Sequence, residues 1–115
     1  MDKYNLTEEQ RADIKELYNK IITDTKGCKT QNDFINRLQE VQQQRVSHDY
    51  EVHEHPAIDT IGINVVSHKD YKTPNRVIGI ACYIDKTYTP LHISKYIDVF
   101  FNDEEYALQD YEVEQ

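Results

Sequence analysis

The sequence predicts an α+β fold, in which two N-terminal helices pack on one face of an antiparallel four-stranded β-meander. Three observations carry this prediction. Apolar residues recur with a helical period up to residue 46, they alternate with a period of two from Ile58 onwards, and turn residues separate the alternating segments. A length of 115 residues suits one hydrophobic core, so residues 1–115 are expected to form a single domain.

The two predicted helices cover residues 7–26 and 31–46. Thr7 begins the sequence TEEQ, which fits a capping box with Gln10, and Thr30 can cap the second helix. Gly27 suits the left-handed end of the first helix. The apolar positions at helical spacing are Ile14, Leu17, Tyr18, Ile21 and Ile22 in the first helix, and Phe34, Ile35, Leu38 and Val41 in the second.

Alternating residues then predict a β-hairpin and a second pair of strands. Ile61, Ile63 and Val65 alternate with smaller or polar residues, HKDYKTPN supplies a turn, and RVIGIACYI returns as the next strand. Residues 91–101 fit either a helix or a strand. Their β-branched and aromatic content favours the strand, with NDEE as a turn into the partner strand YALQDYEV.

Two helices can cover only one face of such a sheet, so the other face is left to solvent or to a partner. In the strand interpretation that open face carries His92, Ser94, Tyr96 and Asp98, and Tyr83 joins them from the neighbouring strand. A homodimer that buries this face is an alternative that the sequence leaves open.

Charge and composition exclude several classes of protein. The net charge is −8, and the last twenty residues contribute most of it because they hold seven carboxylates and neither lysine nor arginine. This balance argues against direct binding of nucleic acid, which requires clustered cations. No apolar run is long enough to cross a membrane and the first residues are charged, so we expect a cytoplasmic protein. No glycine-rich phosphate loop or nucleophile motif indicates an enzyme.

The segment HDYEVHEHP contains the only cluster of metal-ligating residue types. If it is extended, Glu51, His53 and His55 point to one side, and two imidazoles at this spacing can share one ion, with zinc as the candidate. An open site needs a further ligand from His48, Asp49 or His92. The alternative interpretation is a polar entry to the sheet, with histidines that titrate normally. A structural or hydrolytic zinc site is therefore the second functional hypothesis.

The acidic, tyrosine-rich C-terminal hairpin is the leading candidate for a binding surface. Tyrosine offers a large contact area with a polar tip at low conformational cost, and the chain contains nine tyrosines and no tryptophan. The residues predicted to contact a partner are Tyr96, Asp98, Asp103, Glu104, Glu105, Tyr106, Asp110, Tyr111 and Glu112.

Together these features predict a small acidic binding protein without enzymatic activity or a cofactor. Carboxylates spaced along a β-ribbon can imitate phosphates, so the expected partner is a basic bacterial protein, such as an enzyme that binds nucleic acid. In size, charge and richness in Ile, Asn, Lys and Tyr, the chain is similar to small acidic inhibitors and accessory proteins carried by phages and mobile elements.

Overall fold

The computed structural model describes residues 5–55, 59–69, 72, 75–87, 91–102 and 107–113, with His55 described through its backbone alone. Two helices precede one antiparallel sheet whose strands follow each other in chain order, β1-β2-β3-β4-β5. The elements are α1 (Glu8–Asp24), α2 (Gln31–Gln42), β1 (His48–His55), β2 (Thr60–Ser67), β3 (Val77–Asp85), β4 (Tyr96–Phe101) and β5 (Leu108–Glu112). Among the described residues, neither helix combines the length and the apolar character needed to cross a lipid bilayer.

The α+β class is confirmed, but the prediction of four strands is wrong because the sheet has five. The additional strand is β1, which pairs with β2 from His48 opposite Ser67 to His55 opposite Thr60. Its sequence HDYEVHEH has only two apolar side chains, Tyr50 and Val52, so hydrophobic alternation did not reveal it. Backbone pairing at the edge of the sheet, rather than a continuous apolar stripe, makes this segment a strand.

The predicted capping box of α1 and the predicted cap of α2 are both present, and the cap of α2 also proves to be a capping box. The Gln10 amide donates to Thr7 Oγ1 at 3.1 Å, and the Thr7 amide donates to Gln10 Oε1 at 2.9 Å. Thr30 and Asp33 make the equivalent reciprocal pair at the start of α2. Both helices end earlier than predicted: Gly27 adopts φ 88° after α1, and Arg45 adopts φ 56° after α2. These left-handed residues turn the chain away from each helix.

One face of the sheet forms the hydrophobic core, and we call it the core face. The register sets Ile61 opposite Ile84, Ile63 opposite Cys82 and Val65 opposite Ile80, and all six side chains are fully buried. Each such isoleucine contributes about 1.5–3 kcal/mol relative to an exposed position. The cluster also contains the buried side chains of both helices, which are Ile14, Leu17, Tyr18 and Ile21 of α1 and Phe34 and Leu38 of α2.

The strand interpretation of residues 91–101 is confirmed over β4. Val99 pairs with Ile80 and Ile97 pairs with Tyr111, which places the apolar members of β4 in the core. The β3–β4 pairing is interrupted by a shift of register between Val77 and Gly79. Gly79 is also close to the strand on its other side, β2. A Cβ atom at this position would lie 2.8 Å from the Val65 carbonyl oxygen, so the close approach of β2 and β3 requires glycine.

Candidate protein-binding surface

The sheet face opposite the core is lined by carboxylates, and we call it the acidic face. Alternation along each strand and the register across strands place Glu51, Asn64, Ala81 and Asp98 in one row, with Tyr96 opposite Glu112 in the next. None of the five strands described here contains a lysine or an arginine. The carboxylates that the strands direct to this face belong to Asp49, Glu51, Asp85, Asp98 and Glu112.

Asp98 occupies a half-buried position near the middle of the acidic face. The Tyr83 hydroxyl donates to Asp98 Oδ2 at 2.6 Å, and the Asp110 amide donates to Asp98 Oδ1 at 3.2 Å. Burial, followed by the hydrogen bond to Asp98, raises the pKa of Tyr83 above its ordinary value of 10.0. The phenol therefore keeps its proton at neutral pH and anchors the carboxylate in one orientation.

Three exposed apolar side chains accompany these carboxylates. Tyr96 is 47% exposed, Val66 43% and Phe100 37%, whereas Gly62 and Ala81 on the central strands leave little side chain between them. Lys95 Nζ lies 2.9 Å from Glu112 Oε1 and 5.5 Å from the centre of the Tyr96 ring. Exposed aromatic side chains are enriched at protein-binding surfaces.

A cleft of about 490 Å³ opens beside Tyr96, where the chain enters β4. Its depth comes from Tyr18 of α1, whose hydroxyl donates to the carbonyl oxygens of Ile93 and Ser94. Hydrogen bonds from the Thr87 hydroxyl and amide lower the pKa of Asp85, which keeps a carboxylate at the rim. The cleft therefore joins Asp85 and Tyr96 of the acidic face to core residues behind the sheet. Its lining residues are Tyr18, Asp85, His92, Ile93, Ser94, Lys95 and Tyr96.

The structure brings together only part of the predicted contact set. Tyr96, Asp98 and Glu112 lie on the acidic face, and Asp110 is exposed beside them with φ 54°. Tyr111 is only 6% exposed and belongs to the core, because its place in β5 directs it opposite Ile97. Its side chain therefore offers little surface to a partner. Asp103, Glu104, Glu105 and Tyr106 lie outside the described residues.

The predicted metal ligands lie on β1, as the alternation required. Glu51 Oε1 and His53 Nε2 are 3.3 Å apart, and His53 Nε2 is 3.4 Å from the Asn64 side-chain nitrogen. The side chain of His55 lies outside the described part of the structure. Across the residues that are described, no three His, Cys, Asp or Glu side chains converge on one point in a way that could hold a metal ion. The zinc site stays a prediction.

Asp24, His48 and Tyr50 form a polar cluster that the sequence did not predict. His48 is 3% exposed, and its Nε2 lies 3.4 Å from Asp24 Oδ2, which also accepts a hydrogen bond from the Tyr50 hydroxyl at 2.5 Å. The His48 and Tyr50 rings meet edge to face at 4.6 Å. Burial and then the charge of Lys20 lower the pKa of His48 below 6.5, against the opposing attraction of Asp24. His48 is thus buried as a neutral imidazole.

This burial predicts that the fold loses stability in mild acid. In the unfolded chain His48 titrates near 6.5, so between that value and its lower folded pKa the unfolded state binds more protons. Stability from this source is complete above the unfolded pKa and is lost as the pH falls through the window. His48→Gln is expected to flatten the fall in unfolding free energy between about pH 7 and about pH 5, measured by urea titration.

The control for that experiment is His92→Gln, which makes the same substitution at an exposed histidine. The titration of Asp49 does not contribute to the loss of stability in this pH window. A hydrogen bond from His68 lowers the pKa of Asp49, so the stability that Asp49 contributes is lost only as the pH falls below 3.8. Equal losses for wild type and His48→Gln over the mild-acid window would contradict the assignment.

Two members of the acidic face, Val66 and Phe100, were missed as contact residues although the sequence contained the signal. Phe100 continues the alternation of Tyr96 and Asp98, and Val66 continues that of Gly62 and Asn64. His48 gave no such signal, because its burial depends on residues distant in the sequence, such as Asp24 at the end of α1. No protein-family model, no curated protein and no solved structure matches this chain.

Proposed function

We propose that the protein is a small non-enzymatic binding protein, and that its acidic face engages a basic partner that itself binds nucleic acid. The observation that supports this proposal best is the segregation of charge. Five carboxylates and three exposed apolar side chains share one sheet face, while every lysine and arginine of the described chain lies on a helix or a connection.

The packing of the helices supports the availability of the acidic face to a partner. Buried side chains of both helices share a cluster with the core face, so we infer that α1 and α2 both lie against that face and leave the acidic face uncovered. Antiparallel sheets commonly have one packed and one solvated face. Here the solvated face exposes the large side chains of Tyr96 and Phe100, and exposed apolar patches often mark sites of protein interaction.

The two kinds of side chain have different tasks in this proposal. Carboxylates attract a cationic surface over a distance comparable to the Debye length, about 8–10 Å at ordinary salt, and so raise the rate of encounter. Tyr96 and Phe100 lose their water only on contact and so slow dissociation. A surface that presents fixed carboxylates to a nucleic-acid-binding cleft would compete with the phosphates of the natural ligand, which corresponds to an inhibitor or accessory role.

The test is capture of the partner from a bacterial lysate, followed by measurement of binding to the purified partner. We expect a basic protein whose Kd rises steeply between about 50 mM and about 500 mM salt, and whose binding is displaced by duplex DNA. An unrelated acidic protein of similar size serves as the control for non-specific adsorption. Salt-insensitive binding, or simultaneous binding of DNA and this protein by the partner, would contradict the proposal.

A further inference from the structure

The outer edge of β1 is an unpaired, regular strand edge. No strand in the described part of the chain pairs with it, and its eight residues match β2 one for one without a bulge. It carries neither lysine nor proline, the residues that commonly prevent pairing at strand edges. The opposite edge of the sheet differs, because β5 has a register shift and Asp110 adopts φ 54°.

Two hydrogen bonds show which backbone groups β1 directs outward. The His68 amide donates to the Ser47 carbonyl, so odd-numbered residues bond inward to β2. The Tyr50 amide donates to Gln42 Oε1 of α2, so even-numbered residues point away from β2. Because alternation is strict in an antiparallel pair, Val52 and Glu54 direct their N–H and C=O groups to the open edge. Gln42 already occupies the amide of Tyr50.

We infer that this edge pairs with β1 of a second copy of the chain, antiparallel and centred on His53. With Tyr50 occupied by Gln42, the two remaining outward residues must face each other, so Val52 pairs with Glu54 of the second copy and Glu54 with its Val52. Each of these pairs makes two reciprocal hydrogen bonds. The two sheets then continue into one another, and the two acidic faces lie side by side.

The charges of β1 complement themselves in this register. Glu51 lies opposite position 55 of the second copy, which is histidine, and His53 lies at the axis with Glu51 of the second copy diagonal to it. An imidazole N–H donates to a carboxylate whether or not the ring is charged, so the match holds at neutral pH. A peptide of a different sequence is not expected to carry glutamate and histidine at the matching positions, whereas a second copy of the chain carries both by symmetry.

Cysteine cross-linking tests the register directly. At the axis of an antiparallel pair the two Cα atoms are about 4.5 Å apart, which suits a disulfide, so His53→Cys should cross-link under mild oxidation. Glu51→Cys is the matched control, because the two copies of residue 51 lie four residues apart along the strand, about 13 Å, and should stay reduced. Both variants carry Cys28→Ser, since Cys28 is partly exposed, whereas Cys82 is buried.

Sedimentation of the unmodified chain and of two edge variants completes the test. The wild type should dimerise on the order of 100 µM or below, which lies in the weak range expected of a small interface. Glu54→Pro removes an outward N–H without touching the β2 ladder and should be a folded monomer, whereas Glu54→Ala keeps the N–H and should dimerise. A wild type that stays monomeric at that concentration, or cross-linking of Glu51→Cys in place of His53→Cys, would overturn the inference.

A charge exchange provides an independent check that does not alter the backbone. Glu51→Lys should weaken the dimer by placing a cation opposite histidine, and adding His55→Glu should restore it. Restoration is not expected if β1 binds a different protein. None of these results depends on the acidic face having a partner.

Discussion

Replacing Asp103, Glu104 and Glu105 together with lysine is expected to slow association with the basic partner by about 10-fold to 1,000-fold. These residues lie in the C-terminal twenty, which carry most of the net charge. Reversal removes three carboxylates and adds three cations, so the negative field that attracts a basic partner is much weaker. The salt dependence of the association rate should also become shallower, because less attraction remains for salt to screen. Stopped-flow association at several ionic strengths measures both effects.

The matched control distributes the same change of net charge over α2. A carboxylate replaced by lysine changes the net charge twice as much as an amide replaced by lysine. Replacing Glu40 and four exposed amides with lysine therefore changes the net charge by the same amount as three reversals. The amides are Asn32, Asn36, Gln39 and Gln43. If the α2 variant slows association as much as the C-terminal variant, net charge and not the acidic face controls binding.

Replacing Tyr96 and Phe100 together with alanine is expected to weaken binding by about 2 kcal/mol or more, roughly 30-fold, almost entirely through faster dissociation. Both side chains are substantially exposed in the free protein, so their removal should cost the fold little. Tyr96 also forms part of the adjoining cleft, where a partner side chain would be desolvated. Surface plasmon resonance separates the dissociation rate from the association rate.

Ile22→Ala provides the comparison for this pair. Ile22 is 40% exposed on α1, so the variant removes an apolar group of similar exposure from a surface that the proposal leaves unused. Its dissociation rate should equal that of the wild type. An unchanged dissociation rate for the Tyr96 and Phe100 variant would show that the acidic face attracts the partner but does not anchor it.

The two predictions separate long-range attraction from contact, because the lysine variant changes the charge of the chain and the alanine variant removes contact area. Asp98 contributes both to attraction and to contact, because hydrogen bonds from Tyr83 and from the Asp110 amide hold its carboxylate in place. An exposed carboxylate that rotates freely contributes little to binding, about 0–1 kcal/mol. A carboxylate oriented before the partner arrives loses less conformational entropy on binding. Single reversals at Asp103, Glu104 or Glu105 should be mild compared with the combined change, because water and salt screen each carboxylate.

Local sequence determined the parts of this protein that depend on neighbours in the chain. Thr7 with Gln10 and Thr30 with Asp33 specify both helix starts, because a capping box is completed within four residues. Alternation in β2 and β3 specified the core face, since a strand places every second side chain on the same side. The same rule placed Tyr83, Tyr96 and Asp98 together before the contacts were known.

Only the tertiary structure decided the features that depend on partners distant in sequence. β1 is a strand because β2 and Gln42 satisfy its backbone, although its side chains are mostly polar. His48 is neutral because burial lowers the pKa of its imidazole, and Tyr111 is buried because β5 pairs with β4 in one register and not the other. A shift of one residue would have exposed Tyr111, since successive side chains of a strand point to opposite faces. Long-range pairing therefore decided which acidic and aromatic residues remain available at the surface.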